Sequence, residues 1–121
     1  MTTPVGPYTP VVRSGDWIIC SGQVGIADGK LVDGGVRGQL QQAMANLSSL
    51  LASQGAGLAD VVKTTVFLVD MDDYGVMNDV YVEAFEAEAP GHRPARSAVA
   101  VAALPIGAQV EIEAWARVPA T

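Results

Sequence analysis

The sequence predicts an α+β domain in which a mixed sheet carries two helices on one face. Three observations lead there. Two stretches, Val36 to Leu51 and Met77 to Phe85, repeat apolar residues at helical spacing. Segments patterned as strands surround them, in the order β-β-(β)-α-β-α-β-β, without a linker or a solenoid repeat. Half of the 121 residues are apolar and only 17% are charged, below the ~25% of ordinary soluble domains. Two helices cover one sheet face, so the surplus apolar surface implies that the other face packs against copies of itself, closed by cyclic symmetry.

The elements follow in order. Met1 to Pro10 holds Pro4, Pro7 and Pro10 and reads as an extended lead-in. Val11 to Arg13 and Trp17 to Ser21 are short strands around Ser14-Gly15-Asp16, with Trp17, Ile19 and Ser21 on one face and Ile18 and Cys20 on the other. Asp28-Gly29 is a hairpin turn within the glycine-rich stretch Gly22 to Gly35. Val36, Leu40, Met44, Leu47 and Leu51 form the stripe of a first helix, which Gly55-Ala56-Gly57 stops. Val61 to Val69 is β-branched and apolar on both sides, a strand buried on both faces. Asp70-Met71-Asp72-Asp73 opens a second helix with an aspartate cap and acids in its first turn, and Met77, Val80, Tyr81, Ala84 and Phe85 form its stripe up to Pro90-Gly91. Ser97 to Leu104 is a strand, Pro105-Ile106-Gly107 a turn, and Gln109 to Val118 the last strand. In it Val110, Ile112, Ala114 and Ala116 face one way, and Glu111, Glu113, Trp115 and Arg117 the other.

Composition narrows the function classes. The length fits one domain over residues 1–121. A net charge of -6 with seven Lys and Arg disfavours nucleic acid as a partner. No apolar run reaches the ~20 residues that span a bilayer, so no membrane role is expected. A single cysteine, Cys20, excludes an intrachain disulfide and reads as a buried inert thiol. The Met-Thr-Thr-Pro start has no signal character, and the cytoplasm is the expected compartment. Asp70, Asp72 and Asp73 read as helix capping rather than a calcium loop, no Cys/His set suits zinc, and neither Gly34-Gly35 nor Gly55-Ala56-Gly57 has phosphate-loop spacing. No metal and no cofactor are expected.

Arg96 is the residue out of keeping with its surroundings. It enters the apolar strand Ala98 to Ala103 just after Pro94, and a guanidinium is costly to bury unless partnered. Its partner is either an acid such as Glu111 or Glu113, an ordinary strand-end ion pair, or the carboxylate of a ligand that matches its planar fork of donors. Glu111 and Glu113 share a strand face, which suits an acid–base pair and equally a solvated or cross-paired surface. His92 is the lone histidine, in a loop, without a sequence-adjacent partner that would orient it.

The run Pro94-Ala95-Arg96-Ser97-Ala98-Val99-Ala100-Val101-Ala102-Ala103-Leu104-Pro105, followed by Val110-Glu111-Ile112-Glu113-Ala114, closely resembles the signature of the RidA (YjgF) family of reactive-intermediate deaminases. Gly6-Pro7-Tyr8, Ser21-Gly22-Gln23, Asp60 to Leu68, and the pair Asn78 and Tyr81 are similar to further motifs of that family, in the same order and over nearly the whole chain. The resemblance implies a chorismate-mutase-like fold and a homotrimer, with sheets forming an inner barrel and clefts between subunits. It implies hydrolysis of 2-imino and 2-enamino acids such as 2-aminoacrylate to 2-keto acids and ammonia, without a cofactor and linked to pyridoxal-phosphate enzymes that release such intermediates. By resemblance Arg96 grips the substrate carboxylate, Glu111 places the attacking water, and Tyr8, Ser21, Asn78, Tyr81 and Ala98 line the cleft. Ala98 departs from the cysteine that many members carry, which puts any thiol-dependent behaviour in doubt and leaves a backbone role there intact.

Overall fold

The computed structural model describes residues 4–120; residues 1–3 of the expected lead-in lie outside them. Its strands are β1 (Val11–Ser14), β2 (Trp17–Gln23), β3 (Ile26–Ala27), β4 (Lys30–Leu31), β5 (Val61–Leu68), β6 (Ala95–Ala100) and β7 (Val110–Arg117), with helices α1 (Gly35–Ala52) and α2 (Tyr74–Glu88). Five strands form one sheet in the order β1-β2-β7-β5-β6. Only β5 and β6 run parallel, joined by the crossover through α2; the remaining pairs are antiparallel. β3 and β4 form a separate hairpin across Asp28-Gly29, both with positive φ (54° and 78°), the conformation that Asp-Gly favours.

Both helices lie on one face of the sheet, as their stripes require. Leu40, Leu47 and Leu51 of α1 and Met77, Val80 and Phe85 of α2 meet Ile18, Val61, Val66, Leu68, Ile112 and Ala114 in one core. Each such leucine contributes about 1.5–3 kcal/mol by leaving water. The alternation in β7 is the expected one: Val110, Ile112, Ala114 and Ala116 are buried and Trp115 is exposed.

Three departures from expectation bear on the architecture. β6 starts at Ala95 and ends at Ala100, not at Leu104. The amide of Val101 donates to Leu68 O, and the chain then leaves the sheet toward the turn Pro105–Gly107. Asp70 does cap, accepting from the Asp72 amide at 2.9 Å, but it caps a 3-10 turn over Met71–Asp73, and α2 proper begins at Tyr74. β5 is buried on its helix face alone: Lys63, Thr65 and Phe67 on the other face are partly exposed, and Val62 bulges out between Val61, opposite Ala116, and Lys63, opposite Trp115.

A second bulge matters more for the site. Cys20 pairs with Ala114 but Gln23 with Ile112, so β2 has one residue more than β7 around Ser21-Gly22. The extra residue re-aims the end of β2 toward Glu111.

Candidate functional site

The residues singled out in the sequence fall into two groups, on opposite faces of the sheet. The first surrounds Arg96 on the helix side. Register places Arg96 opposite Thr64, and Thr64 opposite Ala114, both wholly buried. From there the guanidinium reaches α2: Nη1 donates to Asn78 Oδ1 at 2.8 Å and contacts Met77 Sδ at 3.5 Å, and Nη2 donates to Tyr74 OH at 3.0 Å. The Tyr81 and Tyr74 rings flank it, with centroids 5.0 and 5.6 Å from the guanidinium carbon. The Tyr81 hydroxyl is turned inward and shares a 2.8 Å hydrogen bond with Thr64, so Tyr81 offers Arg96 its ring alone. Burial raises its phenol above the usual range, while the Thr64 bond and the nearby arginines act the other way.

Every one of these partners is neutral. Among the described residues no carboxylate comes within ion-pairing distance of Arg96, whereas Arg93 binds Glu86 at 2.7 Å and Arg37 approaches Glu83 at 3.5 Å. The alternative of an internal ion pair with Glu111 or Glu113 is thereby removed. A half-buried cation oriented by dipoles and ring faces, with its charge unneutralised, is a preformed seat for an anion.

The second group lines a cleft of about 320 Å³ on the other face: Tyr8, Ser21, Gly22, Glu111 and Glu113, with Val5, Val24 and Pro105 as apolar walls. The Ser21 hydroxyl donates to Thr9 O at 2.7 Å and its amide to Pro10 O at 2.8 Å, which ties the N-terminal segment and Tyr8 to β2. The Glu111 carboxylate lies over Gly22, filling the space where a Cβ would stand. Burial, and secondly the like charge of Glu113, hold the Glu111 carboxyl above the usual carboxylate range. Such a group is a better proton acceptor than an exposed glutamate.

Ala98 stands two residues from Arg96 on the same face of β6. It lies half-buried opposite Val66, on the helix side of β6, packed against the core. His92 is occupied structurally, its Nε2 2.7 Å from Val61 O and its ring near Phe85. Burial pushes the Cys20 thiol up to about 11, as suits an inert residue. Sequence reasoning missed two contributors, Tyr74 and Gly22 as the seat of Glu111. Tyr74 carried a signal: with Asn78 and Tyr81 it forms an i, i+4, i+7 stripe on α2.

Counting along the sheet, Arg96 and Glu111 stand two strands and three residues apart, about 14 Å at the backbone, with side chains on opposite faces. One chain does not bring them to a common small substrate.

The chain is similar to known proteins over most of its length. A "2-iminobutanoate/2-iminopropanoate deaminase" of Mus musculus is 46% identical over 114 residues, covering 93% of this chain and 82% of that protein. "Protein mmf2, mitochondrial" of Schizosaccharomyces pombe is 40% identical over 111 residues, covering 89% and 85%. The crystal structure of E. coli TdcF with bound serine superposes with a TM-score of 0.89 at 32% identity, covering 94% of this chain and 90% of that one. No helix among the described residues is long and apolar enough to cross a membrane. The family described as Endoribonuclease L-PSP matches residues 1–118, and the chain belongs to it, the YjgF/RidA family that its motifs resemble.

Proposed function

We propose that this protein is an imine/enamine deaminase that hydrolyses 2-imino acids to 2-keto acids and ammonia. The observation that carries the reading is the Arg96 guanidinium, held by Asn78, Tyr74 and two rings and neutralised by no described acid. Support also comes from the deaminase name of the mouse relative and from the amino-acid ligand in the TdcF structure. The substrate carboxylate docks on Arg96, with the Asn78 amide and the backbone at Ala98 beside it. Glu111 accepts a proton from water as the water oxygen bonds to C2 of the imine. The C=N bond becomes C–N in a carbinolamine, and the proton passes to nitrogen, which leaves as ammonia while C=O forms. An enamine such as 2-aminoacrylate enters after tautomerising to the imine. Pyridoxal-phosphate enzymes that release such intermediates are the proposed upstream link.

The site is completed between copies. In the proposed homotrimer of single RidA-like domains, Arg96, Asn78, Tyr81 and Ala98 come from one subunit, and Tyr8, Ser21 and Glu111 from its neighbour. This arrangement answers the separation of the two groups within one chain. RNA cleavage, which the family's description suggests, fits less well: the chain carries a net charge of -6, and the proposed site sets Arg96 alone against Glu111 and Glu113, too little positive charge to hold a phosphate backbone. The cytoplasm is the proposed compartment, although the S. pombe relative is named mitochondrial.

Arg96→Ala tests the reading. Ammonia release is followed from 2-iminopropanoate generated in place by a serine or threonine dehydratase. The variant is expected to lose about 100-fold or more of the acceleration, as removal of a charge-assisted pair implies, while sedimentation shows the same assembly as wild type. Near-normal acceleration by the variant overturns the assignment.

A further inference from the structure

Two tyrosines flank the Arg96 guanidinium, and their hydroxyls are used differently. That of Tyr81 is bonded to Thr64 in the interior. That of Tyr74 accepts from Arg96 Nη2 at 3.0 Å, on a residue that is 42% exposed. A phenol has one donor and two acceptor lone pairs. Accepting from Arg96 occupies a lone pair and leaves the O–H proton to point elsewhere, and among the described residues nothing accepts it. A neutral donor therefore stands beside the cation, held by it. On the other side Asn78 presents Oδ1 to Nη1, which turns its amide N–H groups away from Arg96. Donors on both flanks of an unneutralised guanidinium make a broader anion seat than the arginine alone.

We propose that Tyr74 is a substrate-binding residue whose hydroxyl donates to the same carboxylate that Arg96 grips. This rests on the reading of Arg96 given above and extends it to a residue that the family motifs quoted for this chain do not include. The carboxylate remains ionised through the reaction and takes no part in the bonds that change at C2. A donor aimed at it strengthens the ground state and the transition state alike, so its loss appears in KM rather than in kcat. A residue that merely shaped the site would not produce that split.

Tyr74→Phe keeps the ring over the guanidinium and removes only the hydroxyl. Steady-state deamination of 2-iminobutanoate should show KM raised about tenfold with kcat within twofold, the size expected of one hydrogen bond to a charged group in a partly exposed site. Calorimetric titration with 2-oxobutanoate, the stable keto-acid product, should show a matching loss of affinity. Unchanged KM and affinity, or a fall in kcat without a change in KM, overturn the proposal. Arg96→Ala titrated with the same probe separates the two readings. If it loses the keto acid while Tyr74→Phe binds normally, Tyr74 alone is misassigned; if Arg96→Ala binds as wild type, the carboxylate site itself lies elsewhere.

Discussion

Glu111 shows how the absence of one side-chain atom positions a candidate base. Its carboxylate rests on Gly22, whose backbone φ is not in the left-handed region, so alanine is conformationally acceptable there. The added methyl meets the far end of a flexible side chain, which moves at little cost. Gly22→Ala is therefore expected to fold with a stability change below about 1 kcal/mol, since the relief requires a rotamer and not a backbone shift. It displaces the carboxylate from the water it is proposed to activate, so deaminase activity should fall at least about tenfold; thermal melting and the ammonia assay together check this. The ionisation of Glu111 gives a second expectation. Its carboxyl is raised by burial first and by Glu113 second, and only the ionised form accepts a proton from water. The rate should decline as pH falls through that raised value, at a higher pH than an ordinary glutamate would give. A kcat/KM–pH profile should show Glu113→Gln moving this acid limb to lower pH, because a like charge has gone, while Glu111→Gln loses the limb together with the rate. A limb that Glu113→Gln leaves in place would exclude the electrostatic coupling.

At the level of elements, local periodicity was readable and pairing was not. The stripes Val36 to Leu51 and Met77 to Phe85 became α1 and α2 because each buries a row of side chains that its own spacing defines. The faces of β7 followed from alternation alone. Where the outcome depends on a partner strand, the sequence was silent. Val101 to Leu104 is as apolar as a strand, yet β6 stops at Ala100 and the chain turns away toward Pro105. The bulge at Ser21-Gly22 exists only relative to Ala114 and Ile112 of β7, nearly a hundred residues away. The same holds for the site. Arg96 was legible as a cation without an obvious local partner, but that it faces α2 while Glu111 faces the opposite side required the registers of β5 with both β6 and β7. Tyr81 was placed correctly on the helix; that its hydroxyl binds Thr64 followed only from packing.

For the whole molecule, the sheet face away from the helices leaves Val12, Trp17, Val99 and Trp115 exposed, with the two tryptophans edge to face at 6.1 Å. Apolar surface so concentrated implies a cover in solution, and the proposed homotrimer supplies one while bringing an Arg96 group to a Glu111 group from another copy. This makes a prediction that no single-chain site shares. Arg96→Ala and Glu111→Gln chains are each expected to be inactive as pure assemblies. When the two are unfolded, mixed in equal amounts and refolded, subunits combine at random. A site between copies is intact wherever the Arg96 side comes from a Glu111→Gln chain and the Glu111 side from an Arg96→Ala chain, a chance of one half for each. About a quarter of the wild-type activity should therefore return, because in a closed cyclic assembly every chain contributes one side to each of two neighbouring sites. If Arg96 and Glu111 of one chain served the same site, every chain in the mixture would still carry a defect in its own site and none would recover. The ammonia assay on refolded mixtures, with each variant refolded alone as control, decides between the two: a return near one quarter assigns the site to the interface, and no return places it within the chain.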